Sequence, residues 1–135
     1  MSTSVIRGQR EASMSDNAFT PDTLNEKLSA VLINSGIQPR LKGFDFLKDS
    51  VRFALAKPDS LHSLTKTLYP SVAVKHSSNS RAVERAVRHA IEVAWAQGKL
   101  SNLNRFFGFT VLEKDEKPTG GEYIGLLTEL MKNYL

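Results

Sequence analysis

No cysteine occurs anywhere in this chain of 135 residues. That absence removes disulfide cross-links, thiolate metal sites and cysteine nucleophiles together. Apolar runs are only a few residues long, so no segment reads as a membrane span. The opening MSTSVIRGQREASMSDN lacks the apolar stretch of a signal peptide, which points to a cytoplasmic protein. Histidines are few: His62, His76 and His89 stand far apart with no acidic partner at metal-ligand spacing, so no metal site is expected. A serine–histidine–acid set, a paired carboxylate cleft and a glycine-rich cofactor turn are missing too, and neither an enzyme nor a bound cofactor is expected. Thr119-Gly120-Gly121-Glu122 lacks the lysine and the length of a phosphate loop. Its Thr and Glu, three apart before Tyr123, Ile124, Leu127, Leu130 and Met131, read as a capping box instead.

Charge is unevenly shared. Residues 1–37 carry 3 basic and 4 acidic side chains, residues 38–105 carry 12 and 5, and residues 106–135 carry 3 and 5. The formal net charge of +4 therefore comes from a centre of +7 between weakly negative ends. A basic centre of this kind is either a polyanion-facing surface or an ordinary solvated lysine- and arginine-rich one.

The length suits one domain with one core. Residues 1–19 are polar and aperiodic and read as a disordered tail or linker remnant; residues 20–135 read as the folded domain. Thr20 is placed to cap a helix that opens with Pro21 and Asp22, carries Leu24, Leu28, Val31 and Leu32 inward, and stops at Gly36. Gly43 is expected to precede a second helix burying Phe44, Leu47, Val51, Phe53, Ala54 and Leu55. After Lys57-Pro58-Asp59, with Asp59 or Ser60 as cap, a third run passes through Leu61, Leu64, Thr65 and Leu68. Pro70 then restarts the chain. Only Phe109–Leu112 offers a weak strand pattern. The expectation is an all-α, compact bundle of about six helices.

The most informative segment is RAVERAVRHAIEVAWAQG, which follows the polar turn Ser77-Ser78-Asn79-Ser80. On a helix of about 3.6 residues per turn, Val83, Ala86, Val87, Ala90, Ile91, Val93 and Ala94 share one side. Arg81, Glu84, Arg85, Arg88, His89 and Glu92 share the other. Ser80 is the expected cap and Gly98 the stop. With the short helix Pro70–His76 before it, this makes a helix-turn-helix whose second helix fits a major groove about 12 Å wide. Arginine pairs with guanine O6 and N7, and glutamate accepts from cytosine N4 while repelling phosphate, so Glu84 among arginines suggests base reading. The alternative is an amphipathic surface helix whose Glu84–Arg88 pair only solvates its face. Lys75 and Ser80 flank the same surface. Trp95 and Tyr69 read as packing residues.

LTKTLYPSVAVKH followed by VERAVRHAIEVAWAQG resembles the C-terminal effector domain of the stage-zero sporulation master response regulator. GIQPRLKGFDFL upstream, and FFGFTV and KPTGGEYI downstream, extend the resemblance to about Leu24–Leu130. It implies a six-helix transcription-factor domain that binds double-stranded promoter DNA at TGTCGAA-containing sites and both activates and represses. By position, it carries DNA contact to Glu84, Arg85, Arg88 and His89. It carries contact with the sigma factor of RNA polymerase to the short helix at about Leu100–Val111, with Leu100, Asn102, Arg105, Phe107 and Val111 as candidates. It also implies pairing of two copies, as a homodimer, on tandem DNA sites. Two positions depart from the family pattern: Arg81-Ala82 replaces Ser-Arg before Val-Glu-Arg, and His76 stands where a hydrophobic residue is common. The family's phosphorylated receiver domain has no counterpart in residues 1–23, so the chain reads as an isolated effector domain or a receiver-less relative. A receiver-less relative that dimerises with or titrates the full regulator or polymerase is the second functional reading.

Overall fold

A computed structural model describes residues 21–135, with side chains from Thr23 onward. The expected Thr20 cap, the Asp22 side chain and the polar segment 1–19 lie outside the described residues. Six α-helices account for the fold: α1 (Pro21–Asn34), α2 (Lys42–Ala56), α3 (Tyr69–Lys75), α4 (Ser80–Ala96), α5 (Leu103–Phe107) and α6 (Gly120–Asn133). There is no strand among the described residues.

Burial makes α2 the centre of the bundle. Gly43, Phe44, Phe46, Leu47, Ser50, Val51 and Ala54 are buried over nearly half of its circumference, a face wide enough to meet more than one neighbour, while Lys42 and Asp45 stay exposed on the other side. It packs on α4 along one flank and on α6 along another. From α4 come Val83, Val87, Ala90, Ile91 and Ala94; from α6 come Tyr123, Ile124, Leu127, Leu130 and Met131. The apolar spacing that predicts these faces is thus also what joins them.

Helix ends follow local chemistry. At the end of α1 Gly36 takes φ +88, Gly36 N–H donates to the Ile33 carbonyl at 3.1 Å, and Ile37 N–H donates to Leu32 at 2.9 Å. This crossed pair satisfies carbonyls that the helix would leave open. The same arrangement closes α4 at Gly98, with φ +71. Thr119 and Glu122 form the expected capping box at α6.

Several expectations need correction. Gly43 lies inside the first turn of α2, which begins at Lys42 after an extended Leu41. The run after Lys57 is not one capped helix. It is a 3-10 turn, Pro58–His62, then a wide π-type turn, Leu64–Leu68, and neither has a side-chain cap from Asp59 or Ser60. The wide turn has a cause in Pro70, whose ring would crowd the Lys66 carbonyl of a regular α-helix. Here Leu68 N–H donates back to Ser63 at 3.2 Å, and the chain enters α3 already at Tyr69. The cap of α4 is Asn79, not Ser80: the Asn79 side chain accepts from Ala82 N–H at 2.9 Å, and Ser80 is the first helical residue. The Phe109–Leu112 strand does not form, because its backbone is claimed by one side chain. Asn104 Oδ1 accepts from Val111 and Leu112 N–H at 2.8 and 3.0 Å, and Asn104 Nδ2 donates to the Leu112 carbonyl at 2.9 Å.

Candidate nucleic-acid interface

The α3–α4 unit has the connectivity read from the sequence: a short helix, the turn His76–Asn79, and a long helix. Val72 and Ala73 of α3 are buried and α3 packs on α4, which fixes the two helices as a unit. Ser77 turns the chain with φ +53, and Ser78 N–H donates back to the Ala73 carbonyl at 2.9 Å. The Asn79 cap then starts α4 at once, so the turn has little freedom.

With its apolar stripe sunk against α2, α4 turns its other side outward. Arg81, Arg85, Arg88 and His89 are all exposed. The three arginines sit at i, i+4 and i+7, one row about 10 Å long at 1.5 Å per residue. Arg81, Arg85 and His89 have no ion-pair partner among the described residues, whereas Arg88 Nη1 meets Glu84 Oε2 on the adjoining turn. Glu84 is half-buried, and Ser80 is partly exposed at the head of the row. The structure therefore brings Ser80, Arg81, Glu84, Arg85, Arg88 and His89 onto one outward surface. That surface can offer bidentate donors to guanine and an acceptor to cytosine.

Lys75 differs from the others. It is exposed, but its Nζ lies 3.1 Å from Asp49 Oδ1, so part of its charge is used inside the protein. Asp49, on α2, also takes Arg52 Nη1 at 2.6 Å and His76 Nε2 on its second oxygen. Burial of Asp49 pushes its carboxyl up, but the bonds from His76, Lys75 and Arg52 outweigh that and hold it below the usual carboxylate range. The His76 ring also stands edge-on to Phe46, centroids 4.9 Å apart. This explains how a polar residue serves at a position where an apolar one is expected: its ring face packs and its nitrogen pairs. The link ties the end of α3 to α2, and its two members lie 27 residues apart, so no local motif announces it.

The five expected polymerase contacts separate on inspection. Leu100 and Phe107 are core residues, 2% and 7% exposed, and cannot meet a partner on the surface as presented. Their apolar character, which marks them in the sequence, is what pins the segment. Asn102 donates to the Asn34 carbonyl at 3.0 Å, and Val111 is half-buried beside Asn104. Arg105 alone among the five is exposed. The segment is a 3-10 turn at Leu100–Asn102 plus the short α5, not a helix through Val111. Beside it lie two aromatic side chains that sequence reasoning missed as surface features: Phe109, 54% exposed, and Tyr134, 43% exposed. Their rings and that of Phe107 lie within 6 Å of one another, centroid to centroid.

Trp95 is half-buried against the core, and Lys117 lies over its ring at 5.4 Å while reaching Glu92 at 3.4 Å. Tyr69 is buried at the start of α3, as its packing role predicts. Among the described residues no cluster could hold a metal ion, and no helix is long and apolar enough to cross a membrane. The family model described as "Sporulation initiation factor Spo0A C terminal" matches residues 28–131, from the middle of α1 to near the end of α6.

Proposed function

This chain belongs to the family of C-terminal domains of sporulation initiation factors, a family of DNA-binding transcription regulators rather than enzymes, and on that premise we propose that α4 reads promoter DNA through its outward row. The observation that carries the reading is the alignment of Arg81, Arg85, Arg88 and His89 along the exposed side of the second helix of a helix-turn-helix. Arg85 and Arg88 donate to guanine, Glu84 accepts from cytosine, and Arg81 and Lys75 meet phosphates. The site is a TGTCGAA-like duplex, bound by two copies on tandem half-sites. To read a base, Glu84 and Arg88 exchange each other for base edges, so the ion pair that joins them in the free protein keeps both ready.

The deciding experiment is a gel shift with a TGTCGAA-containing duplex and a scrambled one. Arg85→Ala should cost about 1–3 kcal/mol on the specific duplex and much less on the scrambled one. Equal losses on both would assign Arg85 to phosphate alone.

Contact with sigma factor or RNA polymerase is proposed for the surface around Arg105, with Asn102 and Val111 at its edge. Since Arg105 has no ion-pair partner among the described residues, Arg105→Ala should leave stability and DNA affinity unchanged while lowering activated transcription in vitro several-fold. Unchanged transcription would remove this surface from the proposal.

A further inference from the structure

A groove runs beside the head of α4, between it and the start of α6. Two adjoining hollows of about 520 and 250 Å³ share Tyr69, Glu84 and Gly120 among their walls. Arg81 and Gly121 line the larger hollow and Arg88 the smaller.

The floor of this groove is short of hydrogen-bond acceptors. α6 is a helix of 14 residues whose capping box satisfies Glu122 N–H through the Thr119 hydroxyl. Gly120 and Gly121, its first two residues, have N–H groups with no acceptor among the described residues. Such groups carry the positive end of the helix dipole and favour an anion. Tyr69 supplies the independent observation. The residue is 4% exposed, yet its hydroxyl bonds to nothing among the described residues. That hydroxyl stands against the same helix end, 2.8 Å from where a Cβ on Gly120 would be. The ring is enclosed while the hydroxyl at its tip opens into both hollows, next to two open donors, where it is free to donate to a bound anion.

We propose that this groove is a phosphate seat, in which the Gly120 and Gly121 N–H groups and the Tyr69 hydroxyl donate to a phosphate whose charge Arg81 balances. The glycines suit the role sterically as well. A side chain on Gly121 would meet Leu64 Cδ1 at 2.4 Å, so the first turn of α6 stays bare and close to its neighbours. Burial pushes the Tyr69 phenol up, with Glu84 adding to the shift and Arg88 opposing it, so the group stays a protonated donor. Two carboxylates stand on the groove walls, Glu84 in both hollows and Glu92 in the smaller, and each is balanced by a cation, Arg88 and Lys117 respectively. The phosphate has two sources: the backbone of a bound duplex flanking α4, or a free phosphorylated small molecule.

The test follows the amide signals of Gly120 and Gly121 by NMR in the full chain, titrated with inorganic phosphate. Saturable shifts at both glycines are expected. Tyr69→Phe keeps the ring and removes only the hydroxyl, and it should weaken binding about tenfold, the loss of one hydrogen bond to a charged acceptor. Arg81→Gln should weaken it as well, and Glu84→Gln should tighten it. The absence of saturable shifts, or shifts indifferent to Tyr69→Phe and Arg81→Gln, would overturn the proposal. A second titration, begun from the duplex complex, identifies the source. If the duplex moves the same signals and blocks phosphate, the seat serves the DNA backbone; if phosphate still binds on the complex, it serves a free ligand. The first titration contains no DNA, so failure of the DNA reading and failure of the seat are separately visible.

Discussion

Gly43→Ala should lower the stability of the domain by about 3 kcal/mol, although alanine is the better helix former by up to about 1 kcal/mol. The reason is where the added methyl group would stand. A Cβ on Gly43 lies 2.4 Å from the Ala86 carbonyl oxygen and 2.7 Å from Ala90 Cβ. Two of its three near neighbours are backbone atoms of α4, which cannot swing aside as a side chain can. Relief requires α2 to lift away from α4, and that opens the main helix pair of the core. Urea unfolding followed by far-UV circular dichroism measures the change, and the midpoint of thermal unfolding should fall by roughly 10–20 °C. The sign is the informative part. A neutral or stabilising result would mean that α2 and α4 stand further apart than the structure has them.

Asp49→Asn should cost about 2–3 kcal/mol at pH 7, because it keeps the shape of a buried side chain and removes the charge that Arg52, Lys75 and His76 meet. The loss should depend on pH in one direction. In the unfolded chain an aspartate titrates near about 3.9. In the folded protein Asp49 lies lower, burial being outweighed by its three cationic or hydrogen-bonding neighbours. Its contribution is therefore complete above the unfolded value and is withdrawn as pH falls through the folded one. Stability curves for parent and variant should run apart at neutral pH and converge in acid. A gap that persists undiminished in acid would trace the loss to packing and not to charge.

Both variants act at places that the sequence does not announce, and the reason is distance along the chain. The end of α1 at Gly36, the end of α4 at Gly98 and the box at Thr119–Glu122 are legible because each motif spans a few residues. The two faces of α4 are legible for the same reason, since a helical period repeats within the segment that carries it. Asn79 and Ser80 are both good caps, and only the backbone of the turn decides between them. Gly43 looks like an entry to α2 from its neighbours alone; its packing against Ala86 requires a second helix 43 residues away. The bond between Asp49 and His76 is equally non-local. On the proposed interface, the row from Arg81 to His89 is readable because solvent exposure follows from the helical period. The Leu100–Val111 segment is less so, because its spacing does not tell which apolar residues turn inward.

Asn104 has a consequence for how this surface can change. A strand spreads its backbone bonds over many residues, so that no one position decides its shape. Here one amide satisfies three backbone groups of Val111 and Leu112. The shape of the segment after α5 is thus stored at a single address. Thr110, Glu113 and Asp115, which are exposed, are free to drift in sequence while the path of the chain persists. A lineage could remodel the outer surface near Arg105 step by step without refolding the domain, provided that Asn104 stays.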